Sequence, residues 1–201
     1  MKLSEAEKFV RAIECEDILF AGVSGSVSYT PDPEDDIDIY LIVRENRLWT
    51  EMFRAFIIRR LLGNRDICLS LNFDHRFALQ YYGSVISGLP VRDSINAVPL
   101  KGKDYYESLL SSSPEIRRVY PDFKDCGPVP HGSATRARPG PVELFSFIIL
   151  ASWLYLKNLI ANRSFEKRGE FKNRFRTVAR LHAFYLETEK YAELNRSYLE
   201  D

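Results

Sequence analysis

The chain has few cysteines, no two of them close in sequence, and no excess of either charge. Cys15, Cys68 and Cys126 are spread over 201 residues without a C-x-x-C pair. Such scattering excludes a disulfide framework and favours a reducing compartment. Lys and Arg number 28, Asp and Glu number 28, and the formal net charge is zero. That balance excludes a wholly basic surface for wrapping nucleic acid, and equally an acidic solvating tail. Long hydrophobic runs are also lacking. The most apolar stretch is Leu144 to Leu156, with Lys157 directly after it, short of the roughly 20 residues that span a bilayer. It reads as a buried core or interface helix. The N-terminal segment MKLSEAEKFVRAIECED is charged throughout and has no signal-peptide apolar core. A cytoplasmic protein without a membrane partner is therefore expected.

Nucleotide and hydrolase signatures of the common kinds are missing too. There is no Gly-Lys-Ser/Thr for a Walker A loop, and only Gly22 and Gly25 stand where a dinucleotide fingerprint would need three glycines. No G-x-S-x-G elbow occurs. His75, His131 and His182 are far apart and show no metal-ligand spacing.

What is present is an ordinary globular composition, 45% apolar and 28% charged, so the chain can bury a core. Ser4 and Glu7 have the capping-box spacing for a first helix. Ile18–Val23 reads as a buried strand and Ile37–Val43 as a second. Thr50 is expected to cap a helix through Leu62. Ile67, Leu69, Leu71 and Phe73 alternate with Cys68, Ser70 and Asn72, which predicts a half-buried strand with the first four facing one way. Asp74 should cap a helix running to about Gly88. The first hundred residues thus form a small mixed α/β unit. Residues 101–201 read as mainly helical, with short helices at Lys103–Leu110 and Glu115–Tyr120. Residues 121–141, with five Pro and three Gly, read as a loop. Two longer helices are expected over 142–161 and 166–188, the second because Phe171, Phe175, Val178, His182 and Tyr185 step by 4, 3, 4, 3.

The segment Ile18 to Val43 carries the chemistry. A strand runs into Gly25-Ser26, and eleven residues after Gly25 comes Asp36-Ile37-Asp38, opening the next strand. Strand alternation points Asp36 and Asp38 to one face, roughly 7 Å apart, while Ile37 and Ile39 enter the core. Two such carboxylates can share divalent ions. Gly25 lets backbone approach a phosphate, and Ser26 adds a hydroxyl donor beside N–H groups that can form an anion-binding concavity. Together they make a place for Mg²⁺ (or Mn²⁺) and a nucleoside triphosphate. The plainer alternative is an acidic turn, charged for solubility, that leads into an edge strand. An EF-hand starting at Asp32 or Glu34 fails, because Ile37 or Ile39 stands where its sixth-position Gly is needed.

This strand, Gly-Ser, Asp-x-Asp, strand pattern resembles the signature of the DNA polymerase beta-type nucleotidyltransferase superfamily. The matching residues are Gly25, Ser26, Asp36 and Asp38. The resemblance is closest to stand-alone prokaryotic nucleotidyltransferases, with Ile67-Cys-Leu-Ser-Leu-Asn72 similar to a Cys-Leu-Asn strand and Leu89-Pro90 similar to a Leu-Pro strand. It covers about the first hundred residues. It implies a small mixed β-sheet with helices on one side, followed by a helical C-terminal region. It also implies an enzyme that transfers a nucleoside monophosphate from ATP or another NTP to a hydroxyl acceptor. Asp36 and Asp38 would bind two Mg²⁺ ions, and Gly25 and Ser26 the phosphates.

Two departures stand out. Tyr29 and Thr30 replace the Gly that often closes the loop. The family's third carboxylate, on the neighbouring strand, has no counterpart within residues 67–73. Asp66 has the same parity as Cys68 and Ser70 and is the candidate for that catalytic role. The absence of a carboxylate on the 67–73 strand keeps open a second reading, a catalytically impaired nucleotide-binding regulatory or interaction protein of the same fold. Finally, residues 163–180 hold seven basic residues and two acids. On a helix, Lys172, Arg176 and Arg180 would share a face that could follow the phosphates of an RNA acceptor, or simply face water.

Overall fold

The computed structural model describes residues 2–25, 28, 36–84, 88–130, 138–171, 174–188 and 193. In chain order the elements are α1 (Lys2–Ile13), β1 (Ile18–Ser24), β2 (Ile37–Val43), α2 (Leu48–Leu61), β3 (Ile67–Asp74), α3 (His75–Gly83), α4 (Leu89–Asn96), β4 (Val98–Lys101), α5 (Lys103–Ser111), α6 (Pro114–Val119), α7 (Pro141–Arg168), β5 (Phe175–Arg180) and β6 (Ala183–Thr188). The strands form one mixed sheet in the order β4-β1-β2-β3-β6-β5. β1 pairs antiparallel with β2, while β2 and β3 run parallel around the α2 crossover.

β2 is internal to the sheet and buried on both faces. Ile37, Ile39, Leu41 and Val43 enter one apolar cluster with α1, α2 and α7. Tyr40 and Ile42 enter the other with α3, α4, α5 and α6. Helices therefore cover both faces of the sheet, not the single side expected. The reason is the apolar content of β2: a strand apolar at consecutive positions must be covered twice. On the second face Tyr40, Tyr82 and Tyr106 are fully buried. Their hydroxyls satisfy one another at 3.3 Å, and Tyr106 donates to the Ser94 carbonyl at 2.8 Å. Burial first of all pushes each of these phenols up.

β3 departs from strict alternation. Ile39 pairs with Leu69 but Tyr40 pairs with Leu71, so Ser70 is an extra residue, a bulge. Past it the parity inverts. Ile67 and Leu69 pack on the α2 side, whereas Leu71 and Phe73 pack on the aromatic side. Asn72 turns into the core, fully buried, with neither side-chain atom hydrogen-bonded.

The helix expected over 166–188 is absent. α7 runs to Arg168, and residues 175–188 form the β5–β6 hairpin, with Leu181 and His182 at its turn. Leu71, Asn72 and Phe73 of β3 pair with Tyr185, Phe184 and Ala183. The 3–4 spacing of the apolar residues suited a helix, but aromatic and β-branched content together with a free edge on β3 favour strands. The C-terminal half is thus not only helical. Three smaller expectations also shift. Ser4 and Glu7 lie inside α1 instead of starting it. Leu89-Pro90 opens α4, and the strand comes later, at Val98–Lys101. α3 ends at Gly83, before Gly88.

Two buried carboxylates tie the frame together. Asp74 caps α3 through Phe77 N at 2.9 Å, as expected, and also accepts from Asn46 N at 3.2 Å. His182 Nδ1 lies 2.6 Å from its Oδ2, fastening the hairpin turn to the end of β3. Glu143 of α7 serves the start of α2. It accepts from Trp49 N and Thr50 N, both at 2.8 Å, and from Thr50 Oγ1 at 2.6 Å. Thr50 therefore sits in the first turn, and the cap comes from a residue 93 positions away. A carboxylate there meets the free N–H groups and the positive end of the helix. Glu143→Ala is expected to cost about 2–3 kcal/mol, since one buried and one half-buried N–H group lose their acceptor. In thermal unfolding followed by circular dichroism it should lower Tm by about 5–10 °C, with Glu143→Gln recovering part of the loss.

Candidate functional site

The Asp-x-Asp pair sits where the fold can tolerate it. Only the first residues of β2 reach the rim of the sheet, and there Asp36 is exposed and Asp38 half-buried. Asp38 faces the same side as Tyr40, two residues deeper along the strand. Across the antiparallel ladder Ser24 pairs with Asp38, so the end of β1 delivers Gly25 directly beside that carboxylate. Gly25 has φ +71°, the left-handed region that favours glycine. A Cβ there would come within 2.7 Å of Asp38 Oδ2. A side chain at 25 would force the Asp38 carboxylate to shift, and the positive φ itself favours glycine. The turn then closes, with Ser28 N and Oγ donating to the Gly25 carbonyl at 3.1 and 2.7 Å. Ser26 lies outside the described residues.

On the other side of β2, Asp38 pairs with Cys68 of β3 in the parallel ladder. Burial above all, and then the charges of Asp38 and Asp36, push the Cys68 thiol up to about 12. Cys68 thus shares one electrostatic environment with both acids and stays neutral near pH 7. Its place beside Asp38 follows from the strand register, which the sequence alone did not reveal. Asp66 is exposed at the start of β3, and its carbonyl accepts from Ile37 N at 2.7 Å. Asp66 directly precedes Ile67, and Asp36 directly precedes Ile37, the first pair of the β2–β3 ladder. Among the described residues, no three His, Cys, Asp or Glu side chains gather as a metal-ligand group. The oxygen donors at hand are the Asp36–Asp38 pair. Mg²⁺ accepts one or two carboxylates with water and phosphate completing its shell, and the Asp36–Asp38 donor set fits such an ion.

The other flagged residues fall elsewhere. His131 and Lys172 lie outside the described residues, while His75 is buried with Nδ1 2.8 Å from the Tyr105 hydroxyl. The basic residues of 163–180 do not share a helix face. Arg163, Lys167 and Arg168 end α7, and Arg176 and Arg180 lie on β5. Several meet acids, with Arg174 at 3.5 Å from Glu166 and Arg168 at 3.2 Å from Glu170. The expected RNA-tracking basic helix is therefore corrected: its residues divide between a helix end and an edge strand. A cavity of about 850 Å³ opens between α2 and α7, over Phe53, Phe56 and Trp153. It belongs to the opposite face of the sheet from Asp38. No family model, curated protein or solved structure matches the chain.

The Cys68 environment yields a direct test. Thiolate is the reactive form, so at pH 8 Cys68 should alkylate with iodoacetamide more slowly than Cys126, as read by peptide mass mapping. Asp38→Asn removes one of the charges that raise the thiol and should speed Cys68 labelling several-fold. An unchanged rate would show that the two residues do not share the site.

Proposed function

We propose that this chain is a cytoplasmic nucleotidyltransferase of the polymerase beta type, moving a nucleoside monophosphate from ATP or another NTP to a hydroxyl acceptor. The observation that carries this reading is the fit of Gly25 against Asp38. A left-handed glycine turn for phosphate and an acid for metal share one contiguous place. Asp36 and Asp38 would hold Mg²⁺, which would neutralise the triphosphate and the charge developing on the entering and leaving oxygens. Backbone N–H groups around Gly25 and the Ser26 hydroxyl cradle the phosphates. The acceptor oxygen bonds to the α-phosphorus as the bond to the bridging oxygen breaks, and pyrophosphate leaves. Asp66, exposed just before the first residue of β3, takes the acceptor's proton in this reading.

A specific observation favours the second reading, a nucleotide-binding protein of impaired turnover. The residue beside Asp38 on the adjoining strand is a neutral thiol, Cys68, where the family resemblance calls for a carboxylate. Such a protein binds nucleotide and regulates or recruits a partner without transferring label.

Titration calorimetry with ATP separates these ideas from the plain alternative of an acidic turn. Binding should require Mg²⁺, and Asp36→Asn or Asp38→Asn should weaken it by about tenfold or more, the loss of about 1.4 kcal/mol. Equal heats with and without Mg²⁺ would end both nucleotide readings. Transfer of label from α-phosphate-labelled ATP to an acceptor in a cell extract, abolished by Asp36→Asn, selects the enzyme. Nucleotide binding with no transfer selects the regulator. Cys68→Asp should restore a third carboxylate. It should lower Tm without metal, because three acids repel, and enlarge the Tm rise on adding Mg²⁺.

A further inference from the structure

α7 is the longest helix described, 28 residues or about 42 Å. Among the described residues it is also the one helix long and apolar enough to cross a membrane. Its inner face is fixed. Leu150, Ala151 and Leu154 join the core, and Glu143 is bonded into the first turn of α2. Its outer face is not covered by anything in the chain as described. Ten large apolar side chains between Val142 and Ile160 are each 40–65% exposed. Single exposed apolar side chains are ordinary on a monomer, whereas many of them along one helix mark an interaction surface.

The outer face is also patterned. Val142, Phe145, Ile149, Ser152, Leu156, Leu159 and Arg163 step by 3, 4, 3, 4, 3, 4 along it. That is the seam spacing of helices that pack side by side. Its centre is the small residue Ser152, with apolar positions three and seven residues before it and four and seven after it. We propose that a second copy of this chain covers this face, with the two α7 helices antiparallel and Ser152 on the two-fold axis. Ile149 then meets Leu156 of the partner subunit, and Phe145 meets Leu159 of the partner subunit. The close approach at the axis uses the absence of bulk at Ser152.

Charge supports the antiparallel sense. Lys157, Arg163, Lys167 and Arg168 all lie in the C-terminal half of α7. Parallel pairing would set them against their own copies. Antiparallel pairing puts the two Arg163 residues about 33 Å apart, beyond the ~10 Å screening length. The same distribution disfavours a lipid surface. A helix lying in an anionic membrane carries basic residues along its length, and α7 has none before Lys157.

The test uses the full chain in detergent-free buffer. Sedimentation equilibrium should give the dimer mass, and Ile149→Glu should raise the dimer Kd by about 100-fold or more, because a charge enters an apolar seam. Ser152→Lys, on the solvent face of the lone chain, should do the same and answers if Ile149→Glu fails to fold. Mixing Phe145→Cys with Leu159→Cys chains under mild oxidation should give a 145–159 crosslink by peptide mapping, with little from Phe145→Cys alone. A monomeric wild type overturns the proposal, including one that floats with phosphatidylserine vesicles and so marks the face as lipid-binding. A dimer that is untouched by both charged variants, or that crosslinks 145 to 145, overturns it equally.

Discussion

The burial of β2 on both faces is the constraint from which the rest follows. A strand flanked by β1 and β3 and covered by two apolar clusters has no interior position for an unpaired charge. Carboxylates can stand only where the strand leaves the sheet, and Asp36 and Asp38 occupy those positions. The same-face residues that follow, Tyr40 and Ile42, belong to the core. Acid at the rim and phenol beneath it are therefore successive readings of one face. The neighbouring strands complete the arrangement by register. β1 ends opposite Asp38 and must turn at Gly25, and β3 begins opposite Ile37 and sets Cys68 beside Asp38.

Much of this was legible in the sequence because the signals were local. β1, β2 and the Asp74 cap follow from short apolar runs and a single capping residue. α5 and α6 lie within a residue or two of their expected bounds. The Gly25 and Asp-x-Asp positions needed only strand alternation. What failed depended on distant partners. The β5–β6 hairpin exists because the edge of β3, about a hundred residues earlier, accepts it. The 3–4 spacing of Phe175, Val178, His182 and Tyr185 is compatible with a helix until that edge is known. The cap of α2 comes from Glu143, and no local scan could have replaced Thr50 with it.

The Ser70 bulge is the clearest case of information that the sequence holds but does not display. Strict alternation through 67–73 suggested one continuous face. The extra residue splits β3, so that Ile67 and Leu69 at its start pack on the α2 side while Leu71 and Phe73 at its end join the aromatic cluster. Asn72 is carried into the core without a hydrogen-bond partner, a cost of about 1–3 kcal/mol. The gain is that Phe73, Leu71 and Tyr185 can close the aromatic side against α3, where Phe73 meets Phe77 at 4.9 Å and Tyr81 at 5.1 Å.

Cys68 then decides how the proposed site differs from one with three acids. A thiol held up to about 12 by burial and by Asp38 and Asp36 contributes no charge near neutrality. The pair of aspartates alone supplies two negative charges to a divalent ion, enough for one ion whose shell is completed by phosphate and water. A third acid would bind metal more strongly, and would also strain the apo site by like-charge repulsion. In the proposed reading, with Cys68 in that place, metal would bind chiefly together with the nucleotide that brings the remaining oxygens, and the two affinities would be one coupled quantity. The acceptor's proton would then go to a group outside the pair, the role proposed for Asp66. On that reading nucleotide binding and turnover rest on different residues, so either can be lost without the other.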